Sequence, residues 1–440
     1  MEGMAIHNTS CNKRISADSV RPQSMNRTGP GRTTGTAMRK KCLLVMAGAV
    51  LLVGLGEIAC RLIEQAYDSA ALNPTGDSVN LTALNYNDTT VPRRKTPGEF
   101  RILEFGDSYV YSTVKTDFTP SSVASDLLGQ AGASTRMVNL GEPGTSFHQY
   151  RKAMRHWAGL IEADALVVGV FLGNDCVEVA RRIVPDDLPV NGWLRDNFVE
   201  ITTGRKRLTG ARHGHGLRLI DFVVDAVNIE TTGQYVTMDV PEPHSGLYSP
   251  LPEARFLELT RLFAVAGEPA HSAELAPGWQ ALAETGRDLS RLGRERGMRV
   301  AVVLSPAEVA VNAGLWRKAA LEAGIDPQSF DPTLPGRMAE AVLAKVAPDV
   351  AVLDLTPVFA CAAARGDVLY PPREIHWNAA GNRLAGQALA RFVDRTWLGL
   401  PKDALDGADP CLDAAPLPAG PANLEACLAA AGPFAGPARP

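Results

Sequence analysis

Apolar residues follow one another without a break at Ala165-Leu166-Val167-Val168-Gly169-Val170-Phe171-Leu172, and again within Arg299–Leu304 and Val350–Leu355. Such runs read as strands buried on both faces, which is how the inner strands of a parallel sheet look. Glu99-Phe100-Arg101-Ile102-Leu103-Glu104-Phe105 alternates apolar and polar positions and stops at Gly106-Asp107-Ser108, while Arg136–Leu140 forms another short strand before Gly141-Glu142-Pro143-Gly144. Between these lie segments of helical period: a stretch from Thr119-Pro120-Ser121 to about Leu128, then Ser146–Leu160, Ala276–Arg296, Gly336–Val346 and Ala379–Trp397. Strand alternating with helix predicts a doubly wound α/β domain.

The alternation fails between Cys176 and about His271, so this stretch is expected to be an insertion after the third strand. An insertion there sits on the rim where open α/β sheets bind ligands, and its apolar stretch Leu217–Val224 is a candidate wall or lid. The one long apolar run, Cys42–Gly56, extends to Cys60 if Glu57 lies near an interface, with Arg39-Lys40-Lys41 before it and Arg61 after. Its length falls between a signal-peptide core and a full span, and no small-x-small cleavage site clearly follows. An uncleaved signal anchor is the favoured reading, with the basic flank holding the N-terminus in the cytoplasm and the rest exported. The expected plan is therefore a disordered 1–38, an anchor over 39–61 meeting the membrane through 42–60, a stalk over 62–98, a domain over 99–397, and an Ala/Pro/Gly-rich tail over 398–440 that is poorly ordered unless a disulfide pins it. Met38 is an alternative start.

Composition adds limits. A hydrophobic share of 45% and a charged share of 21% are globular values, and a net charge of −4 without a basic run argues against a nucleic-acid partner. Beyond the anchor stand Cys176, Cys361, Cys411 and Cys427. An even number in an exported chain suggests disulfides, and of the three possible pairings Cys411–Cys427 is the most local. Their spacing fits no zinc pattern, and His213-Gly214-His215 has no third ligand, so neither a metal nor any other cofactor is expected.

Ser108 follows a strand end at the rim where ligands bind, which makes it a candidate nucleophile. A serine needs a base, and of the eight histidines only His376 falls between the last strand and the last helix, in a loop returning to the same rim. Glu374 could orient the imidazole, Trp377 could wall the site and bind substrate, and Asn378 could cap the last helix. Oxyanion donors at that rim are the N–H of Ser108, the N–H of Gly141 and the side chain of Asn174. Asp175 is expected to organise its own turn, and Asp354 to serve structure rather than replace Glu374.

Taken together, Gly106-Asp107-Ser108, Gly141, Gly173-Asn174-Asp175 and His376 resemble the four blocks of the SGNH (GDSL) hydrolase superfamily, over about Phe100 to Trp397. The resemblance implies a five-stranded parallel sheet in a flavodoxin-like α/β/α sandwich. It further implies ester hydrolysis or acyl transfer, with Ser108 as nucleophile, His376 as base, and Gly141 and Asn174 as oxyanion donors. The family's usual Asp, three residues before the histidine, is here Arg373. Glu374-Ile375-His376-Trp377 is instead similar to the Asp-x-His-Trp form of the alginate O-acetylation enzymes, with Glu for Asp. The expected activity is that of a membrane-anchored extracytoplasmic esterase removing acyl, especially acetyl, groups from an envelope or exported polysaccharide. A polysaccharide O-acetyltransferase using the same residues is the alternative, and a catalytically silent scaffold of a polysaccharide assembly the third.

Overall fold

The computed structural model describes residues 34–72, 76–82, 84, 86–184, 206–207, 235–236, 251–401, 404–405 and 409–434. Within this set α1 (Thr34–Leu72) is one long helix, and its segment Met38–Leu62 has a mean hydropathy of 2.3. At 1.5 Å per residue these 25 residues exceed the ~30 Å of a bilayer's hydrocarbon, so the helix is long and apolar enough to cross one.

After α1 comes a hairpin, β1 (Ser78–Asn80) with β2 (Thr90–Pro92), paired antiparallel. These residues were expected in a stalk. Instead Val79, Leu81, Leu84, Tyr86 and Val91 are buried in the same apolar cluster as Leu103 and Phe105 of the central sheet. The Tyr86 hydroxyl donates to Glu142 Oε1 (2.7 Å) and accepts from Trp157 Nε1 (3.1 Å), which fastens the hairpin to the domain.

The central unit then runs β3 (Phe100–Gly106), α2 (Ser108–Tyr111), α3 (Pro120–Gln130), β4 (Thr135–Gly141), α4 (Phe147–Leu160), β5 (Ala165–Phe171) and α5 (Asp175–Ala180). Of the insertion, 185–250 lies outside the described residues except for two short antiparallel strands, β6 (Lys206–Arg207) and β7 (Tyr235–Val236). The proposed lid stretch Leu217–Val224 is therefore outside the description. The chain continues with α6 (Glu253–Ala264), α7 (Ala276–Arg296), β8 (Arg299–Ser305), α8 (Glu308–Val311), α9 (Ala313–Ala323), α10 (Leu334–Val346), β9 (Ala351–Asp354), α11 (Thr356–Arg365), α12 (Ala379–Val393) and α13 (Leu424–Ala430).

Five strands form one parallel sheet in the order β4-β3-β5-β8-β9. Counted along the chain this is the 2-1-3-4-5 order of flavodoxin-like folds, whose switch point lies between β3 and β5. Alternate residues serve opposite layers: Leu166, Val168 and Val170 join the side carrying Trp157, Trp279 and Met338, whereas Ala165, Val167 and Phe171 join the side carrying Leu128, Phe359 and Leu384. That two-sided burial explains the unbroken apolar run of β5, each large side chain stabilising the fold by about 1.5–3 kcal/mol.

Cys361 of α11 pairs with Cys411 (Cα–Cα 5.5 Å), not Cys411 with Cys427. Cys411 lies in the apolar layer with α11 and Cys427 in the layer on the other side of the sheet, so nearness in sequence is no guide here. The C-terminal segment is also more than a pinned tail. Ala422, Cys427, Ala431 and Phe434 are buried, and the almost fully buried Asp331 accepts from Ala422 N (3.1 Å), Thr333 N (2.9 Å) and Arg337 (2.6 Å).

Candidate active site

Every residue from Arg101 to Tyr111 is buried except Ser108. The strand β3 ends at Gly106, Asp107 accepts from Tyr109 N (2.8 Å) through its side chain, and Ser108 opens the one-turn helix α2. That helix can lie flat on the sheet because glycines floor it on three adjacent strands. A Cβ at Gly106 or Gly169 would come within 2.4 or 2.3 Å of Val110 Cγ2, and one at Gly141 within 2.2 Å of Tyr111 N. The sequence leaves space where α2 must seat, and Ser108 is thereby held at the rim.

The loop after α11 brings in the rest. His376 Nε2 lies 2.9 Å from Ser108 Oγ, across 268 positions of sequence. On the other side of the ring, His376 Nδ1 lies 3.0 Å from Glu374 Oε1 and 3.2 Å from Oε2, and Glu374 Oε2 also accepts the backbone N–H of His376 (3.1 Å). The Glu side chain thus folds over its own loop and grips both the ring and the backbone. Arg373, standing where the family pattern has Asp, is exposed at φ 57°.

The charges follow from this arrangement. Burial opposes a charged imidazole, but the Glu374 hydrogen bond and charge, with a contribution from Asp107, hold His376 above its usual 6.5. Burial pushes Glu374 up most strongly, but the hydrogen bond to His376, the charge of that ring and the backbone N–H groups of His376 and Ile375 together outweigh it, leaving that carboxyl below its ordinary value. Asp107 is pushed up to about 6, chiefly by burial, and its Oδ2 has no hydrogen-bond partner among the described residues.

Other expected residues are placed as follows. Asn174 sits past the end of β5, the strand beside β3, and Asp175 organises the turn by accepting from Phe171 N (3.0 Å) and from the Tyr150 hydroxyl (2.8 Å). Burial, then the charges of Asp107 and Glu178, keep the Asp175 carboxyl well above the usual range. Asn378 caps α12 by accepting from Gly381 N (2.9 Å), and Asp354 serves its own turn by accepting from Thr356 N (2.8 Å). Two expectations do not hold. The N–H of Gly141 is given to Asn139 Oδ1 (3.0 Å), so it is not available to an oxyanion, and the glycine's job is to make room for α2. Trp377 is only 4% exposed, packed edge-on against Tyr109 (4.9 Å between ring centres) with Nε1 donating to the Tyr370 hydroxyl (3.2 Å). It supports the imidazole loop from behind and offers no surface to a substrate. Among the described residues no group of His, Cys, Asp and Glu could hold a metal.

The sequence reading missed Tyr109, whose hydroxyl donates to the carbonyl of Ile375 and whose ring stacks on Phe171 at 3.9 Å. Its only signal was position, directly after Ser108. Leu251, where the chain returns from the insertion, also went unnoticed: its N–H donates to the carbonyl of Arg373 (3.0 Å), and with Phe256 it packs near Ile375.

No family model matches the chain, and no curated protein matches it. Solved structures of similar fold include a two-domain esterase active on acetylated mannans, co-crystallised with mannopentaose, at 10% identity and a TM-score of 0.33. The match covers 68% of this chain and 50% of that one, so the chain spans half the length of that esterase. A protein from Slackia heliotrinireducens assigned as an SGNH hydrolase is similar at 13% identity and a TM-score of 0.29, over 67% of this chain and 98% of that one. At these scores the two likenesses carry no inference about this chain's chemistry.

Proposed function

We propose that this chain is a serine esterase of the SGNH type, working through an acyl-enzyme on Ser108. The observation that carries the reading is the unbroken line of contacts from Ser108 Oγ to His376 Nε2 (2.9 Å) and from His376 Nδ1 to Glu374 (3.0 Å). In the first step His376 Nε2 takes the Ser108 proton as Oγ attacks the ester carbonyl carbon. Glu374 stabilises the imidazolium, and the Ser108 N–H with the Asn174 side-chain amide donates to the oxyanion. Collapse expels the alcohol, which takes the proton from His376. Water then attacks the acyl-enzyme by the same route in reverse and releases the acid.

The finer reading is a protein held in the cytoplasmic membrane by Met38–Leu62, with the catalytic domain on the extracytoplasmic side, acting on short acyl esters, acetyl first, of an envelope or exported polysaccharide. The cationic Arg39-Lys40-Lys41 flank supports that orientation. The test is hydrolysis of p-nitrophenyl acetate by the full-length chain in detergent, with Ser108→Ala as control. Expected is turnover that falls by roughly a thousandfold or more in the variant. Equal rates in the two proteins end the proposal. Supplying an acetyl donor together with a deacetylated polysaccharide separates the transferase reading: acetyl recovered on sugar favours transfer, and free acetate favours hydrolysis.

A further inference from the structure

Asn174 stands ahead of α5 but makes no side-chain cap to it. Its Nδ2 donates instead to Glu178 Oε1, one turn further along, at 2.9 Å. Its Oδ1 is buried and has no hydrogen-bond partner among the described residues. A primary amide carries two N–H donors and one acceptor, and the torsion that turns it is soft. Among the described residues, Glu178 is the one that accepts from its nitrogen. Rotating the amide by half a turn would set Oδ1 against the carboxylate, oxygen facing oxygen, so Glu178 also decides which end of the amide is which.

We infer that Glu178 is a positioning residue. It takes one N–H of Asn174 and so fixes the direction of the other, which is left to donate to the oxyanion. The inference rests on the proposed oxyanion role of Asn174 and extends it by one residue. A donor that is already aimed stabilises developing charge far better than one that must reorient during the reaction. What the site needs from Glu178 is an acceptor at the right place and not a negative charge, since a carboxylate near an oxyanion opposes it. Gln at 178 keeps the acceptor and removes the charge, and therefore tells geometry from electrostatics.

The experiment measures kcat and KM for p-nitrophenyl acetate with the full-length chain in detergent, for wild type, Glu178→Ala, Glu178→Gln, Asn174→Ala and the double variant Asn174→Ala/Glu178→Ala. Expected is a fall in kcat of roughly 10- to 100-fold for Glu178→Ala with KM within about twofold, and recovery to within about threefold of wild type in Glu178→Gln. Asn174→Ala falls by roughly a hundredfold or more, and adding Glu178→Ala to it lowers kcat by less than about threefold, because the residue acted through has gone. Should Glu178→Ala melt well below wild type, Glu178→Asp, which withdraws the acceptor by one bond, replaces it and is expected to lose kcat in the same range.

A wild-type kcat in Glu178→Ala overturns the inference. So does a Glu178→Gln variant as slow as Glu178→Ala, or a double variant showing the two losses multiplied. If Asn174→Ala itself turns over like wild type, it is the oxyanion reading that has failed, and the single variants show this independently of Glu178. An inert wild-type chain removes both.

Discussion

The phenol of Tyr109 donates to the carbonyl of Ile375, joining the residue after Ser108 to the residue before His376 across 266 positions of sequence. The same ring stacks on Phe171 at the end of β5, takes the edge of Trp377 and lies 5.4 Å from the imidazole. One side chain thus braces the three chain segments on which the proposed chemistry depends. Replacing Tyr109 by Phe keeps the stack and removes the tie. Loss of a hydrogen bond worth about 1 kcal/mol is expected to lower kcat roughly 2- to 10-fold, with a melting temperature within a few degrees of wild type. Steady-state kinetics beside a thermal melt measure this, and an unchanged kcat means the loop is held without the phenol.

Glu374 is expected to set the pH range of the proposed reaction. Only the neutral imidazole can take the Ser108 proton, so kcat/KM rises with pH through the His376 pKa. Burial alone would lower that pKa, and Glu374 more than compensates, holding it above 6.5. Glu374→Gln is therefore expected to shift the acidic limb of the profile to lower pH while cutting the plateau by roughly a hundred- to ten-thousandfold. A limb that stays put assigns the titration to another group.

Gly141 separates room from chemistry. An added Cβ would lie 2.2 Å from the backbone nitrogen of Tyr111, so α2 would have to move and carry Ser108 with it. Gly141→Ala is expected to cost about 1–3 kcal/mol of stability and most of the activity. Urea unfolding together with labelling of Ser108 by a fluorophosphonate reads both effects, and full labelling at the wild-type rate speaks against the packing role.

The same glycine shows where reading the sequence stops. Strand β5 and helix α7 were legible because long apolar runs and helical periods depend on the local chain, and the place of Ser108 because it follows directly on β3; Glu374 and His376 come after α11, in the loop before the last long helix, and that order along the chain was legible too. The use of the Gly141 N–H was hidden, being decided by how the Asn139 side chain turns two residues earlier. Trp377 looked like a wall because it adjoins the imidazole, yet the loop turns it inward onto Tyr109 and Phe359. The hairpin was mistaken for a stalk because Val79, Leu81, Leu84 and Tyr86 stand singly among polar residues, with too few in a row to show a period. The C-terminal segment was masked by its Ala, Pro and Gly, although Phe434 and Cys427 were there to be buried.

Glu104, inside β3, carries a pH effect on stability. It is almost fully buried, with the Ser121 hydroxyl donating to it at 2.5 Å, and burial pushes its carboxyl up to about 7 from 4.5. A folded pKa raised above the unfolded one means stability that is fully present below about pH 4.5 and lost as pH rises towards 7. Glu104→Gln is expected to be more stable than wild type at pH 8, by an amount on the order of 3 kcal/mol, and no more stable near pH 4.5. Urea denaturation at the two pH values gives the difference, and a constant offset shows that the carboxyl does not titrate in this window.

The apolar layer that holds Val79 and Leu81 near the start of the domain also holds Cys427 and Phe434 close to its end. Both ends of the domain are thus drawn into one apolar layer, the hairpin through the bonds of Tyr86 to Glu142 and Trp157 and the C-terminal segment through the packing of α13 on α10. In a chain emerging from the ribosome N-terminus first, Trp157 follows Tyr86 by 71 positions, so the hairpin gains its partners early, whereas the C-terminal segment is the last part of the layer to be made. A truncation near residue 420 would strip Ala422, Cys427, Ala431 and Phe434 from that layer and take the Ala422 N–H from the buried Asp331, however complete the proposed catalytic residues are.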